Sequence, residues 1–353
     1  MEWVRGDPVG RGSFATVNLA INRKTCAQIP PLTAVKSSVA SNSASLKNEK
    51  QVLDRLGDCP QIIRCFGDDH SFENGEELYN LFLEFATGGS LAHQLKYCSC
   101  RLSESDVRRY TASILEGLRH IHAEGFVHCD IKLQNILMFD NGEIKIADFG
   151  VAKKTGDKQS NGDNKFELRG TPLYMSPESV NANEYDSPAD IWALGCAVVE
   201  MVTGKPIWNH RPESSIWSLL LRIGAGEELP EIPGDLSEDG KDFIGKCFVK
   251  DPRKRWTAEM LLDHPFVADY TVSLKQVDEF STSPRTHFDF PEWVSTASTS
   301  VPSSPDSDEC FDRKLGSCFD SFSSWCSPVD RFQQLVTEQT PNWSVSDSWV
   351  SVR

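Results

Sequence analysis

His128-Cys129-Asp130-Ile131-Lys132-Leu133-Gln134-Asn135, with Asp148-Phe149-Gly150 a short way downstream, is the stretch whose reading decides the fold. It lies where apolar spacing has turned helical. Ser103-Glu104-Ser105-Asp106 reads as a helix start with acid in the first turn, ahead of Val107, Tyr110, Ile114, Leu118 and Ile121. Further upstream the pattern is that of strands. An opening strand, a glycine turn and a second strand at Thr16 to Ile21 precede a third at Leu32 to Lys36. A helix is expected from Ser45 to Leu56, where Leu46, Val52, Leu53 and Leu56 recur at near-helical spacing, with strands at Ile62 to Phe66 and Leu78 to Glu84. The expectation is a small β-rich part followed by a larger α-rich part, an α+β chain whose ligand site is the cleft between them.

Composition sets the limits. The 353 residues carry 36 basic and 51 acidic side chains, a formal net charge of −15, with 39% hydrophobic and 25% charged residues. That describes a globular chain whose average surface repels nucleic acid and anionic membrane. No run of 18 apolar residues occurs, so no membrane insertion is expected, and Met1 to Asp7 lacks the basic and apolar regions of a signal peptide. The eleven cysteines are odd in number and irregular in spacing, with Cys98-x-Cys100 the one close pair. They read as reduced thiols of a cytoplasmic protein that also has access to the nucleus, not as zinc ligands. Residues 271–353 differ from the rest: 12 acidic against 6 basic side chains and 18 serines, a composition that favours disorder. Yet Trp293, Trp325, Trp343 and Trp349 lie there, and a purely entropic linker has no need of them.

Gly10-Arg11-Gly12-Ser13-Phe14-Ala15-Thr16-Val17 is the first chemical signal. Closely spaced glycines let backbone N–H groups approach phosphate oxygens, but the same glycines suit a plain hairpin turn. A dinucleotide fold is disfavoured, because a strand and not a helix follows. Ala15 stands where a third glycine would complete G-x-G-x-x-G. Ala34-Val35-Lys36 ends a short apolar strand, and Glu49 lies in the next helix; either charge alone reads as solvated surface. Taken in order with His128 to Asn135, Asp148-Phe149-Gly150, Gly170-Thr171-Pro172 and Ser176-Pro177-Glu178, these elements resemble the protein-kinase signature, over residues 4 to 267.

The resemblance implies a two-lobed protein-kinase fold: an N-lobe at 1–86, a C-lobe at 87–267, and a Ser-rich acidic tail at 268–353. It implies that Val9, Gly10, Arg11, Gly12, Ser13, Phe14, Ala15, Thr16 and Val17 cover the phosphates of ATP, with Val17 and Ala34 enclosing adenine. It implies that Lys36 holds the α- and β-phosphates, oriented by Glu49, and that Leu83 is the gatekeeper before a hinge at Glu84 to Ala86. Asp130 is implied to orient the substrate hydroxyl, Lys132 to neutralise the transferred phosphoryl group, and Asn135 and Asp148 to hold Mg2+ through hard oxygens. Glu178 is expected to pair with Arg255, and Asp190 to brace the catalytic loop. His122 and His264 are expected to be structural.

Lys132 and Thr171 resemble serine/threonine kinases. Gly170 to Glu178 and Asp251 to Phe266 resemble the MAP-kinase-cascade branch, and Val127 to Lys132 is similar to plant MEKK-like MAP kinase kinase kinases, some of whose kinase domains start almost at the N-terminus as here. The implied partners are MAP kinase kinases, in stress or hormone signalling. Another tier of the cascade remains an alternative. A pseudokinase scaffold is opposed by the complete set of chemical residues, and a small-molecule phosphotransferase by the Gly170 to Glu178 segment. One departure bears on regulation. Cys129 replaces the arginine that in most regulated kinases pairs with an activation-segment phosphate, leaving Lys153 and Lys154 nearby. Thr155 and Ser160 are candidate phosphosites, with only modest dependence of activity expected. In the tail, Phe288-Asp289-Phe290-Pro291 resembles an F-x-F-P docking motif for MAP kinases, against the plain reading of a chance match. Ser283, Ser304 and Ser327, each before proline, are candidate phosphosites.

Overall fold

In the computed structural model, which describes residues 2–12, 15–23, 29–99, 101–156, 168–208, 215–226 and 228–270, period-two alternation builds a five-stranded antiparallel sheet. Its strands are β1 (Trp3–Arg11), β2 (Thr16–Asn22), β3 (Leu32–Val39), β4 (Cys65–Glu73) and β5 (Glu76–Leu83), in the order β1-β2-β3-β5-β4. The helix α1 (Ala44–Leu56) follows β3. Register pairs Ala34 with Leu83, Val35 with Phe82 and Lys36 with Leu81. Alternation therefore sends Ala34 and Lys36 to one face, where Ala34, Leu81 and Leu83 join the main core, and Val35 and Phe82 to the other. On that second face Trp3 packs edge-on over Phe82, ring centroids 5.1 Å apart.

The strand expected at Ile62 to Phe66 begins later and runs further. Ile62 and Ile63 are buried ahead of β4, and the Ile63 N–H donates to the Ile146 carbonyl at 2.9 Å. The strand itself continues through Asp68, Asp69 and His70. It is the edge of the sheet, so apolar alternation does not mark it.

The larger part contains α2 (Leu91–Gln94), α3 (Glu104–Ala123), the short strands β6 (Phe126–Val127), β7 (Ile136–Met138), β8 (Ile144–Ile146) and β9 (Lys153–Lys154), then α4 (Pro177–Ala182), α5 (Ser187–Thr203), α6 (Ile216–Gly224), α7 (Glu238–Cys247) and α8 (Ala258–Leu262). The start of α3 is as its sequence predicts: the Ser103 hydroxyl accepts from the Asp106 N–H at 3.2 Å, and Glu104 and Asp106 place negative charge at the positive end of the helix dipole. The helix α5 is buried all round, from Ala189 to Val199, so it forms the centre about which α3 and α7 pack. The chain divides into two units, Met1–Arg285 and Thr286–Arg353, of which the second lies outside the described residues.

An ion pair fixes the far side of α5. The Arg255 side chain, 0% exposed, donates to Glu178 at 2.6 and 3.1 Å and to the carbonyls of Pro188 and Val249 at 2.7 and 2.9 Å. Removing one partner of such a pair strands the other charge in the interior. Arg255→Ala is expected to destabilise the domain by about 3–5 kcal/mol, read as a lower urea midpoint at unchanged slope.

Candidate active site

Three elements converge on Lys36. It lies in the inner row of β3 and reaches toward α1 and the loop after β8. Its ammonium lies 2.7 Å from Glu49 Oε2 and 2.9 Å from Asp148 Oδ1. The Glu49 carboxylate is fully buried and also accepts from the Phe149 N–H at 3.4 Å. Burial alone would push Lys36 down, but the two carboxylates hold it above the usual lysine range and so fully charged. Glu49 is raised as well, in its case by burial against the pull of Lys36. For Asp148 burial is outweighed by Lys36, which holds the carboxyl below the usual range and ionised. Asp148 is also a non-glycine residue at φ 67°, a conformation that turns its carboxylate into the cleft, where 45% of the side chain is exposed.

The second cluster surrounds Asp130. The Lys132 ammonium donates to Asp130 Oδ2 at 2.7 Å and to the Thr171 hydroxyl at 2.9 Å, and that hydroxyl donates to Asp130 Oδ1 at 2.7 Å. The Asn135 amide donates to the Asp130 carbonyl and to Oδ2 at 2.9 and 3.1 Å. Thr171 reaches across the fold because Gly170, at φ 88°, lets the backbone pass against the Cys129 carbonyl; a Cβ there would overlap it.

Cys129 itself sits at φ 67° and is held there by Asp190. The buried Asp190 carboxylate accepts from the backbone N–H groups of His128 and Cys129, both at 2.9 Å, and from the His122 ring at 2.9 Å. Burial opposes ionisation of Asp190, but these donors, the His122 side chain first, keep it below the usual carboxylate range. His122 is thus a brace, and His264 likewise bonds Asp242 at 3.0 Å and accepts from the Phe266 N–H at 3.1 Å. Burial pushes the Cys129 thiol up, and the negative Asp190 adds to this against Lys153 and Arg169. A protonated, packed thiol is a poor nucleophile. Arg169 was not singled out in the sequence, since only the fold carries it to Cys129.

The glycine loop spans β1 and β2, where the Gly12 N–H donates to the Ala15 carbonyl at 2.8 Å. Val9 is exposed, Ala34 belongs to the main core with the partly buried Val17 packed against that core, and Ser13 and Phe14 lie outside the described residues. Neither Gly10 nor Gly12 has a positive φ or a neighbour that forbids a Cβ, so the hairpin alone does not demand them. At the hinge, Glu84 is gripped by Lys145, with both oxygens 2.8 Å from the ammonium, and its N–H donates to the Arg64 carbonyl at 2.9 Å. Among the described residues no hydrogen bond occupies the Glu84 carbonyl or the Ala86 N–H, the pair an adenine edge requires. Asn135 and Asp148 fit a magnesium ion in kind: both offer hard oxygens, and the two hydrogen bonds of Asn135 use its nitrogen. No group of three or more His, Cys, Asp or Glu among the described residues could hold a metal.

Residues 3–267 match the family model described as Protein kinase domain, and the chain belongs to the protein kinase family. It is 52% identical to Mitogen-activated protein kinase kinase kinase 20 of Arabidopsis thaliana, over 100% of both chains. It is 41% identical to Mitogen-activated protein kinase kinase kinase 17 of the same plant, over 76% of this chain and 70% of that one. Serine/threonine-protein kinase BCK1/SLK1/SSP31 of Saccharomyces cerevisiae is 34% identical over 75% of this chain and 18% of its own. The enzyme is a serine/threonine protein kinase of the MAP kinase kinase kinase type, with the two-lobed fold and ATP use of its family. No helix among the described residues is long and apolar enough to cross a membrane.

Lys36→Met removes the buried ammonium and leaves Glu49 and Asp148 facing each other. It is expected to lower phosphoryl transfer at saturating ATP by a factor of about 10³ or more, measured by radiolabel incorporation beside a check of the folded state.

Proposed function

We propose that this kinase transfers the γ-phosphoryl group of ATP to serine or threonine hydroxyls of MAP kinase kinases. The observation that carries the reading is the pairing of Lys132 and Thr171 around Asp130, 2.7 to 2.9 Å apart, beside the Lys36, Glu49 and Asp148 cluster. The names of the plant relatives support the tier of the cascade. In this scheme Asp130 receives and orients the incoming hydroxyl, while Thr171 fixes the carboxylate rotamer. Lys132 offers positive charge to the transferred group, and Lys36 holds the nucleotide phosphates. Asn135 and Asp148 would hold Mg2+, which when bound neutralises phosphate charge. The glycine loop from Val9 to Val17 covers the phosphates, and Glu84 and Ala86 offer the hinge acceptor and donor to adenine. Catalysis is then positioning and electrostatics, with no covalent step on the protein.

The catalytic unit in this reading is residues 1–267, divided at 86/87, and residues 268–353 regulate it or recruit partners. Phe288 to Pro291 docks a downstream MAP kinase, which phosphorylates Ser283, Ser304 and Ser327 as feedback; all of these lie outside the described residues. Cytoplasm and nucleus are the compartments that suit its thiols.

A panel of kinase-dead MAP kinase kinases, offered to the full chain, a truncation after 267 and Phe288→Ala/Phe290→Ala, tests substrate and tail together. At least one panel member is expected to be phosphorylated in its activation segment by the full chain and the truncation, and MAP kinase retention to drop only in the tail variants. Labelling of MAP kinases directly, with none of the panel, would contradict the assigned tier. Undiminished retention by the Phe288/Phe290 variant would contradict the docking.

Activation by phosphate lacks the usual arginine: the uncharged Cys129 stands in its place, with Lys153 and Arg169 the cations beside it, while Ser160 lies outside the described residues. Thr155→Ala/Ser160→Ala is expected to keep initial rates within tenfold of wild type. A hundredfold fall would show that a phosphate there is required.

A further inference from the structure

One face of α1 presents Ser45, Asn48 and Glu49 to the Asp148-Phe149-Gly150 loop, and Asn48 takes no part in the chemistry described above. Its amide nitrogen lies 3.3 Å from the Phe149 carbonyl, 3.2 Å from that of Gly150 and 2.9 Å from that of Ala152. An amide NH2 has two hydrogens, so three converging carbonyls saturate it and fix which way the group is turned. Ser45 closes the same contact from one turn earlier: a Cβ on Gly150 would overlap its hydroxyl oxygen, so helix and loop meet with no space between them. The opposite end of α1 is also held, because the His120 ring bonds the Leu56 carbonyl at 2.7 Å. A helix pinned at both ends cannot swing away from the loop without breaking the Asn48 bonds.

We infer that Asn48 is a positioning residue, a latch between α1 and the Asp148-Phe149-Gly150 loop that sets Lys36, Glu49 and Asp148 together from within the fold. The latch rests on the kinase reading but not on any particular substrate. It supplies what an arginine at position 129 would otherwise supply through an activation-segment phosphate: a tie that makes the aligned state the ground state. Loss of the amide frees the carbonyls of 149, 150 and 152 together, so helix and loop loosen as one unit. A carboxylate in its place is worse than a methyl group, because it turns negative oxygens onto three carbonyls beside the already buried Glu49.

The full chain carrying Asn48→Ala or Asn48→Asp tests this by two independent readouts. The first is amide hydrogen exchange of the nucleotide-free protein, which needs neither metal nor activity. Exchange is expected to accelerate across residues 145–156 and 44–56 with the rest of the domain unchanged. The second is transfer to a generic serine/threonine peptide. There Asn48→Ala is expected to lower kcat about tenfold, raise the Mg2+ concentration for half-maximal rate several-fold and leave Tm within a few degrees, with Asn48→Asp worse in kcat than Asn48→Ala. Wild-type exchange in both segments would overturn the latch, as would acceleration spread over the whole domain with a large fall in Tm. Equal losses for the two variants would overturn the part assigned to the amide donor.

Discussion

Two carboxylates and one ammonium, gathered from a strand, a helix and a loop, meet at the edge of the interior, with Glu49 buried and Asp148 partly exposed. Such a cluster is costly to assemble, and its charges persist only because each is within 3 Å of an opposite one. Everything that brings Lys36, Glu49 and Asp148 together is therefore under constraint: the register that puts Lys36 on the inner face of β3, the apolar face of α1 that buries Leu46, Val52 and Leu53, and the unusual φ of Asp148. The arrangement is charged in advance. In the proposed reading ATP phosphates would meet a fixed ammonium within an acidic body, which would let a chain of net charge −15 bind a polyanion.

The catalytic loop is held by a different device. Asp190 has no access to substrate, yet it supports two backbone N–H groups of a strained segment and is itself kept ionised by them and by His122. The strain at Cys129 is thus supported from behind by α5, the most buried helix. Cys129 contributes its backbone, and burial pushes its thiol up. The loop and the Lys36 cluster are held by separate sets of bonds, and Thr171 and Asn48 are the ties by which each is joined to neighbouring segments.

Much of this was legible in the residues. Elements with one buried face announced themselves: α3 by its cap and apolar spacing, β3 by the short apolar run that ends in Lys36. The motif residues lie in short ordered runs, so the resemblance gathers them from the sequence alone. What escaped was whatever depends on proximity across the fold. The edge strand β4 continues through Asp68, Asp69 and His70, whose polarity gives no alternation. Asn48 looks like an ordinary solvated helix residue until the loop is packed against it. Arg169 lies far along the chain from Cys129, and the hinge tie between Glu84 and Lys145 joins residues that no short pattern connects.

Asp130, framed by Lys132 and Thr171, is proposed to direct phosphoryl transfer to aliphatic hydroxyls, and phosphoamino-acid analysis of the products of the wild type and of Asp130→Asn checks this. Phosphoserine and phosphothreonine are expected from the wild type, with no phosphotyrosine and a loss of about 10²-fold or more in Asp130→Asn with ATP affinity retained. Phosphotyrosine as the main product, or full activity without the Asp130 carboxylate, would contradict it.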